Sequence, residues 1–276
     1  MEDKIVRTAD GSFTIWSTEF GESYHSISAG ALEESLKKFL IPSHLLFKAK
    51  KKVKILEVGF GLGYNFTVSA IHLLKTFPNI EIHYLAFEKE INPLIGKITL
   101  PDPYREFYEE LKRQLLKGQM VIKISSVRLE ILLGDARKRV KALDENFDAI
   151  YHDAFSPRKN PELWTLEFFA ELKRLLENDG WLTTYSIALP VRRALKELGF
   201  KIFNTEPVGR RSPGTAATIS AKPLEGSRLY PLSPKEEKKL EISPKAVPFR
   251  DPCLCLSRKE IMNKYLWEVE EKKKSL

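Results

Sequence analysis

Three acidic residues set around one glycine-rich turn define the chemistry to expect of this chain. The turn lies in LEVGFGLGYNF, Leu56 to Phe66, where an apolar run carries Glu57 and Gly59, Gly61 and Gly63 follow in a G-x-G-x-G spacing. A glycine turn between a strand and a helix can hold a ligand against its backbone. Position 64 is Tyr, so the dinucleotide spacing G-x-G-x-x-G is not met, and the lysine and hydroxyl pair of a phosphate loop is missing. Glu57 beside the glycines would repel a pyrophosphate and accept a hydrogen bond from an α-ammonium group, which points to a zwitterionic ligand. Glu88 ends a second apolar run at AFEKE, where a carboxylate can accept both hydroxyls of a ribose. Asp135 ends a third at LLGDAR, where it can accept from an adenine amino group. Asn65 and Ala136, each near the start of the helix that follows its strand, complete the expected ligand contacts.

A fourth acid supplies the reaction. In YHDAFSPRKNPELW, Tyr151 to Trp164, Asp153 and a backbone carbonyl can accept from an amine and orient its lone pair, while Phe155 can stack on a planar base. A protonated amine has no free lone pair, so its proton must leave at the site, and Asp153 is the first acceptor, with His152 and Tyr185 in reserve. His152 alternates with Asp153 along a strand, faces the other way and is read as structural. His25, His44, His72 and His83 have no metal-ligand spacing, and no metal is expected. The glycine loop with its acids resembles the S-adenosylmethionine (SAM) site of class I methyltransferases, and the Asp153 segment resembles the D-P-P-Y type loop of enzymes that methylate nitrogen.

These residues need strands to carry them, and the alternation of patterns supplies such strands. VKILEVG, IEIHYLAFE, RLEILLGD, FDAIYHDA and GWLTTYS read as buried strands, with helical segments after each of the first four. PELWTLEFFAELKRLLEN sets Leu163, Leu166, Phe169, Leu172 and Leu176 on one helical face. FKIFNTEP and GTAATISA form an antiparallel pair. The expected fold is α/β, Rossmann-like and of the class I methyltransferase type. Its sheet is seven-stranded and mostly parallel, with helices on both faces and a C-terminal antiparallel hairpin. Residues 1–50 read as an N-terminal lead-in, 51–221 as the SAM-dependent domain and 222–276 as an extension packed on it. The extension carries six prolines between Pro223 and Pro252, and is expected to run extended before a terminal helix that turns Ile261, Tyr265 and either Leu266 or Trp267 inward.

The chain has 276 residues and a formal charge of +8, which favours an anionic partner such as nucleic acid. No run of about 18 uncharged apolar residues appears and the N-terminus lacks a signal-peptide core, so a cytoplasmic protein without membrane contact is expected. Cys253 and Cys255, one residue apart, are read as inert thiols, too close for an easy disulfide and too few for a closed zinc site.

EVGFGLGYNF, FEKE, GDAR, HDAFSPRKNPELW and VRRALKELGF, in this order and spacing, are similar to the methyltransferase half of the bifunctional tRNA-modifying MnmC family. The resemblance covers about Tyr24 to Ser220. It implies SAM-dependent methylation of 5-aminomethyl-2-thiouridine at the tRNA wobble position. Gly59, Gly61 and Gly63 then fall on the SAM loop, Glu88 and Asp135 on its nucleoside acids, and Asp153 on the catalytic-loop acid. Tyr24, Ser26, Gly30 and Glu34 match a short N-terminal motif with one residue of extra spacing. The sequence after the match leaves no room for the family's oxidase half, so FAD is not expected and the aminomethyl substrate must come from another enzyme. A monomer is expected.

For the tRNA anticodon loop, Arg192, Arg193, Arg210 and Arg211 are the expected phosphate contacts, with Arg158 and Lys159 nearer the site. Two rivals remain. A spermidine synthase-like aminopropyltransferase shares the fold, though it favours a G-G-G-x-G loop. A non-catalytic RNA-binding module would not need the four acids.

Overall fold

The computed structural model describes residues 2–48, 50–209 and 212–275. Among the described residues, twelve strands form two sheets. A small antiparallel sheet joins β1 (Lys4–Arg7), β2 (Phe13–Ser17) and β3 (Glu22–Ser23). The main sheet contains β4 (Lys52–Val58), β5 (Glu81–Glu88), β6 (Val121–Ile124), β7 (Val127–Leu133), β8 (Phe147–His152), β9 (Leu176–Thr184), β10 (Lys201–Asn204), β11 (Thr215–Thr218) and β12 (Tyr230–Pro231). Their spatial order is β12-β10-β11-β9-β8-β4-β5-β7-β6. The central five, β9 to β7, pair in parallel, and both flanks pair antiparallel.

The helices are α1 (Ala31–Glu34), running on into a π-helical turn at Ser35–Leu40, α2 (Tyr64–Thr76), α3 (Arg105–Leu115), α4 (Ala136–Val140), α5 (Leu166–Arg174), α6 (Leu189–Glu197), α7 (Pro234–Ile242) and α8 (Arg258–Lys274). The central strands are apolar on both sides because helices cover both faces. One apolar cluster packs α2 and α3 on Ile55, Ile82 and Tyr84, and the other packs α5, α6 and α8 on Leu56, Ile150 and Leu182. Several of the helix starts show side-chain capping. The Thr165 hydroxyl accepts from the amide of Phe168 at α5, and Ser233 with Glu236 and Ser257 with Glu260 form capping boxes at α7 and α8.

Four expectations change. The sheet has nine strands rather than seven, because β6 and β12 add an antiparallel edge on each side. The extension is not wholly extended, since the capping box at Ser233 starts helix α7 despite the surrounding prolines. In α8 the inward stripe is Ile261, Tyr265 and Val269, spaced by four, while Leu266 and Trp267 are both exposed. Cys253 and Cys255 are joined in a disulfide, with their α-carbons 5.2 Å apart.

The extension is stitched to the sheet by a buried ion pair. Asp251 is fully buried; one of its oxygens accepts from the amides of Cys255 and Leu256, and the other from Arg137 at 2.9 Å. Arg137 also donates to the carbonyl of Leu256 and to Asp135. Arg137→Ala leaves Asp251 charged and unpaired, and we expect a loss of about 3–5 kcal/mol, measured by urea unfolding.

Candidate active site

The strand order reverses on either side of β4, and a crevice opens outside the carboxyl ends of β4 and β8 where an open α/β sheet admits ligands. The cavity there has a volume of about 600 Å³, within the usual range of small-molecule sites. Gly59, Gly61, Glu88, Asp135 and Ala136 line one part, and Asp153, Phe155 and Tyr185 line another. Gly59 lies where the backbone after β8 crosses the turn. Its φ is 89°, and a β-carbon there would sit 2.7 Å from the carbonyl oxygen of Asp153. Only glycine allows that approach.

Glu88 ties the turn to β5 by accepting from the amide of Gly61 at 2.6 Å, and burial raises its carboxyl above the ordinary range. A carboxylate has about four lone-pair sites, so capacity remains for ligand hydroxyls. Asp135 caps α4 through the amide of Arg137 and is gripped by the Arg137 guanidinium. Burial works against its charged form, but these hydrogen bonds prevail and hold it below the ordinary aspartate value.

Three of the expected ligand contacts stand behind the wall instead of on it. Glu57 is fully buried; Oε1 accepts from the Asn65 side chain at 2.8 Å and Oε2 from the Tyr84 hydroxyl at 2.9 Å. Gly63, at φ 73°, is the residue from which α2 starts. Asn65 is buried and its amide nitrogen also donates to Asp153 at 2.7 Å. Glu57, the acid expected to meet an ammonium group, therefore stands outside the cavity lining and is linked to Asp153 through Asn65. The physical reason is the strand pleat: Glu57 lies two residues before the turn and points beneath it, toward Tyr84 on the neighbouring strand.

Burial pushes the Glu57 carboxyl up to about 8, opposed by its bonds to Asn65 and Tyr84. The folded chain thus holds this proton more tightly than the unfolded chain, so stability falls as pH climbs from the ordinary glutamate range to about 8. Glutamine has the shape of the protonated acid, stays neutral at every pH and keeps an oxygen that can accept from Asn65. Glu57→Gln should flatten that decline and gain on the order of a few kcal/mol above pH 8, read from melting curves across pH.

Asp153 is half-buried and faces the cavity. Burial, then the neighbouring carboxylates Glu34 and Glu57, push its carboxyl well above the usual range, with Asn65 pulling the other way. The carbonyls after it are engaged: Ala154 accepts from the Tyr185 hydroxyl at 2.9 Å and Phe155 from the Trp164 indole at 2.7 Å. Of the expected amine acceptors, the Asp153 side chain is half-buried and lines the cavity. His152 is fully buried against Trp164 and Phe169, donates from Nε2 to the carbonyl of Leu163, and is kept neutral by burial, which drops it to about 4.

The basic residues divide. Arg158 and Lys159 are exposed on the loop that follows Asp153. Arg192 is 3% exposed; it donates to Thr215, Asn204 and the carbonyl of Gly214 and pairs with Glu236, so it braces the β10–β11 edge and cannot meet a phosphate. Arg193 is half-buried and pairs with Glu197 at 2.7 Å. Arg210 and Arg211 lie outside the described residues. The cavity also takes Phe20, Tyr24, Glu34 and Arg258 into its wall, from segments flanking the sheet. For Phe20 and Arg258 no spacing in the sequence marks the role; Tyr24 and Glu34 belong to the N-terminal motif.

This sheet, glycine turn and rim of acids define a SAM-dependent methyltransferase. A family described as S-adenosyl-L-methionine-dependent methyltransferase matches residues 102–220. An uncharacterized protein of Methanocaldococcus jannaschii is 31% identical, over 100% of this chain and 74% of its own length. The tRNA 5-methylaminomethyl-2-thiouridine biosynthesis bifunctional protein MnmC of Pseudomonas syringae is 30% identical over 75% of this chain, which spans only 33% of that protein. The crystal structure of MNMC2 from Aquifex aeolicus superposes with a TM-score of 0.89 at 42% identity, covering 98% of this chain and 86% of that one. The chain belongs to the MnmC methyltransferase family. No described helix is long and apolar enough to cross a membrane.

Proposed function

We propose that this protein transfers the methyl group of SAM to the primary amine of 5-aminomethyl-2-thiouridine at the wobble position of tRNA. The observation that carries the reading is Asp153, a cavity-facing carboxylate fixed by Asn65 beside the glycine turn. The donor set fits SAM: Glu88 and Asp135 line the cavity as acceptors for hydroxyl and amino groups, and the glycine turn brings its backbone to the cavity wall. Gly59, Gly61, Glu88, Asp135 and Ala136 would hold it. Bound SAM supplies an electrophilic methyl group on a sulfonium.

The chain's own residues prepare the amine. A substrate ammonium gives its proton to the Asp153 carboxylate, whose raised affinity for protons makes it a stronger base than an ordinary aspartate. The resulting neutral amine stays hydrogen-bonded to Asp153, which aims its lone pair. Phe155 supports the base. Arg158 and Lys159, at the loop's outer edge, are suited to anticodon phosphates. The reading takes the aminomethyl group as installed by another enzyme, the protein as a cytoplasmic monomer, and residues 51–221 as the methyltransferase unit with 222–276 packed on it.

The test is nucleoside analysis of tRNA after incubation with SAM. A 5-methylaminomethyl product from aminomethyl tRNA supports the reading. Methyl transfer to other positions, or none, refutes it.

A further inference from the structure

The aromatic residue expected to stack on a base is already covered. Phe20 lies flat on Phe155, with ring centroids 4.0 Å apart and planes 14° from parallel. The guanidinium of Arg258 sits over Phe20, 5.1 Å from its centroid. Tyr24 meets Phe155 edge-on at 5.0 Å. The result is a pile of guanidinium, ring and ring at the wall of the active cavity, which all four residues line. Neither Phe20 nor Phe155 belongs to either apolar cluster of the fold, so the stack is not core packing.

The layers come from three separate parts of the chain. Phe20 is in the turn between β2 and β3, within the small sheet that is not hydrogen-bonded to the main one. Phe155 follows β8, and Arg258 starts α8, where Glu162 holds it at 3.1 Å. The turn is pinned on one side by Glu19 and Lys89, an ion pair with both partners at least half exposed. Such a pair adds little. On the other side Glu22 accepts from the amide and hydroxyl of Ser156. The Phe20 side chain itself is half-buried and makes its contacts by stacking, on Phe155 and beneath the Arg258 guanidinium.

Unpaired bases are recognised by stacking on aromatic rings and on arginine planes, because every base offers a flat π-face whatever its sequence. We propose that Phe20 fills the slot of the substrate's nucleobase, and that the flipped base displaces it to lie between Phe155 and the Arg258 guanidinium. This deepens the proposed function and rests on it. It also assigns a role to the C-terminal extension, which supplies one face of the slot. An intramolecular occupant lowers apparent affinity by the fraction of time the slot is open. Its removal must strengthen RNA binding, whereas removal of a fixed stacking wall must weaken it.

The experiment measures fluorescence anisotropy of a labelled anticodon stem-loop RNA carrying 5-aminomethyl-2-thiouridine, titrated with the full chain. Thermal melting serves as the check on folding. Phe20→Ala is expected to bind about three- to tenfold more tightly than wild type. Arg258→Ala and Arg258→Lys should both bind about fivefold or more weakly, since lysine keeps the charge and loses the plane. With a stem-loop lacking the wobble base, the gain in Phe20→Ala should vanish.

Equal or weaker binding by Phe20→Ala, or a gain that persists without the base, overturns the slot. If wild type methylates the stem-loop while Phe20→Ala binds it more weakly, the slot fails and the proposed function stands. If Phe20→Ala shows the base-dependent gain but no methyl is transferred, the slot stands and the aminomethyl reading fails. If wild type neither binds nor methylates the RNA, both fail.

Discussion

Asp153→Ala is expected to slow methyl transfer about a thousandfold while SAM affinity stays within about tenfold of wild type. The size follows from the two tasks lost together. A positioned base contributes roughly 10²–10⁴ in rate, and a misplaced amine loses the near-attack geometry that the hydrogen bond supplies. Asn65 and Glu57 survive in the variant, so the turn that holds SAM keeps its support. Burial and the carboxylates of Glu34 and Glu57 raise the Asp153 carboxyl well above the ordinary value, so the active, ionised form is lost early as pH falls. The wild-type rate should therefore decline through that raised value, and the limb should be gone from the residual activity of the variant. Single-turnover rates across pH, with calorimetry of SAM binding, check both parts.

Gly59→Ala is the second large effect, and here SAM binding itself should fail. Two costs fall on one residue. Its φ of 89° is strained for any side chain, and the added carbon would sit 2.7 Å from the Asp153 carbonyl. Relief requires the turn and the catalytic loop to part, which moves the cofactor wall and Asp153 at once. A displacement of about 1 Å can cost about 10² in rate, so kcat/KM should drop by at least about a hundredfold, with SAM affinity falling alongside. Calorimetry that shows normal SAM binding to a folded Gly59→Ala protein would contradict this geometry.

Much of the site was legible because strand ends announce themselves. Glu88, Asp135 and Asp153 each close or follow an apolar run, and each lies at the carboxyl end of a parallel strand. The fate of Glu57 was less legible, because the sequence does not fix which way a residue two positions before the turn faces, and its partner Tyr84 lies on another strand. Arg192 misled for a related reason. A basic run in an amphipathic helix looks solvated, yet Asn204, Thr215 and Glu236 converge on that one guanidinium from distant segments. The edge strands β6 and β12 are four and two residues long and carry little periodicity to detect. The contribution of Phe20 and Arg258 depends wholly on tertiary contact between the two ends of the chain.

The most direct test of the account is transfer of labelled methyl from SAM to two tRNAs, one with 5-aminomethyl-2-thiouridine at the wobble position and one with its carboxymethylaminomethyl form. The account predicts label in the first alone, because the proposed acceptor is a primary amine and the second tRNA offers a nitrogen that already carries a carboxymethyl group. Label in the carboxymethylaminomethyl tRNA, or in neither while SAM still binds, would contradict it.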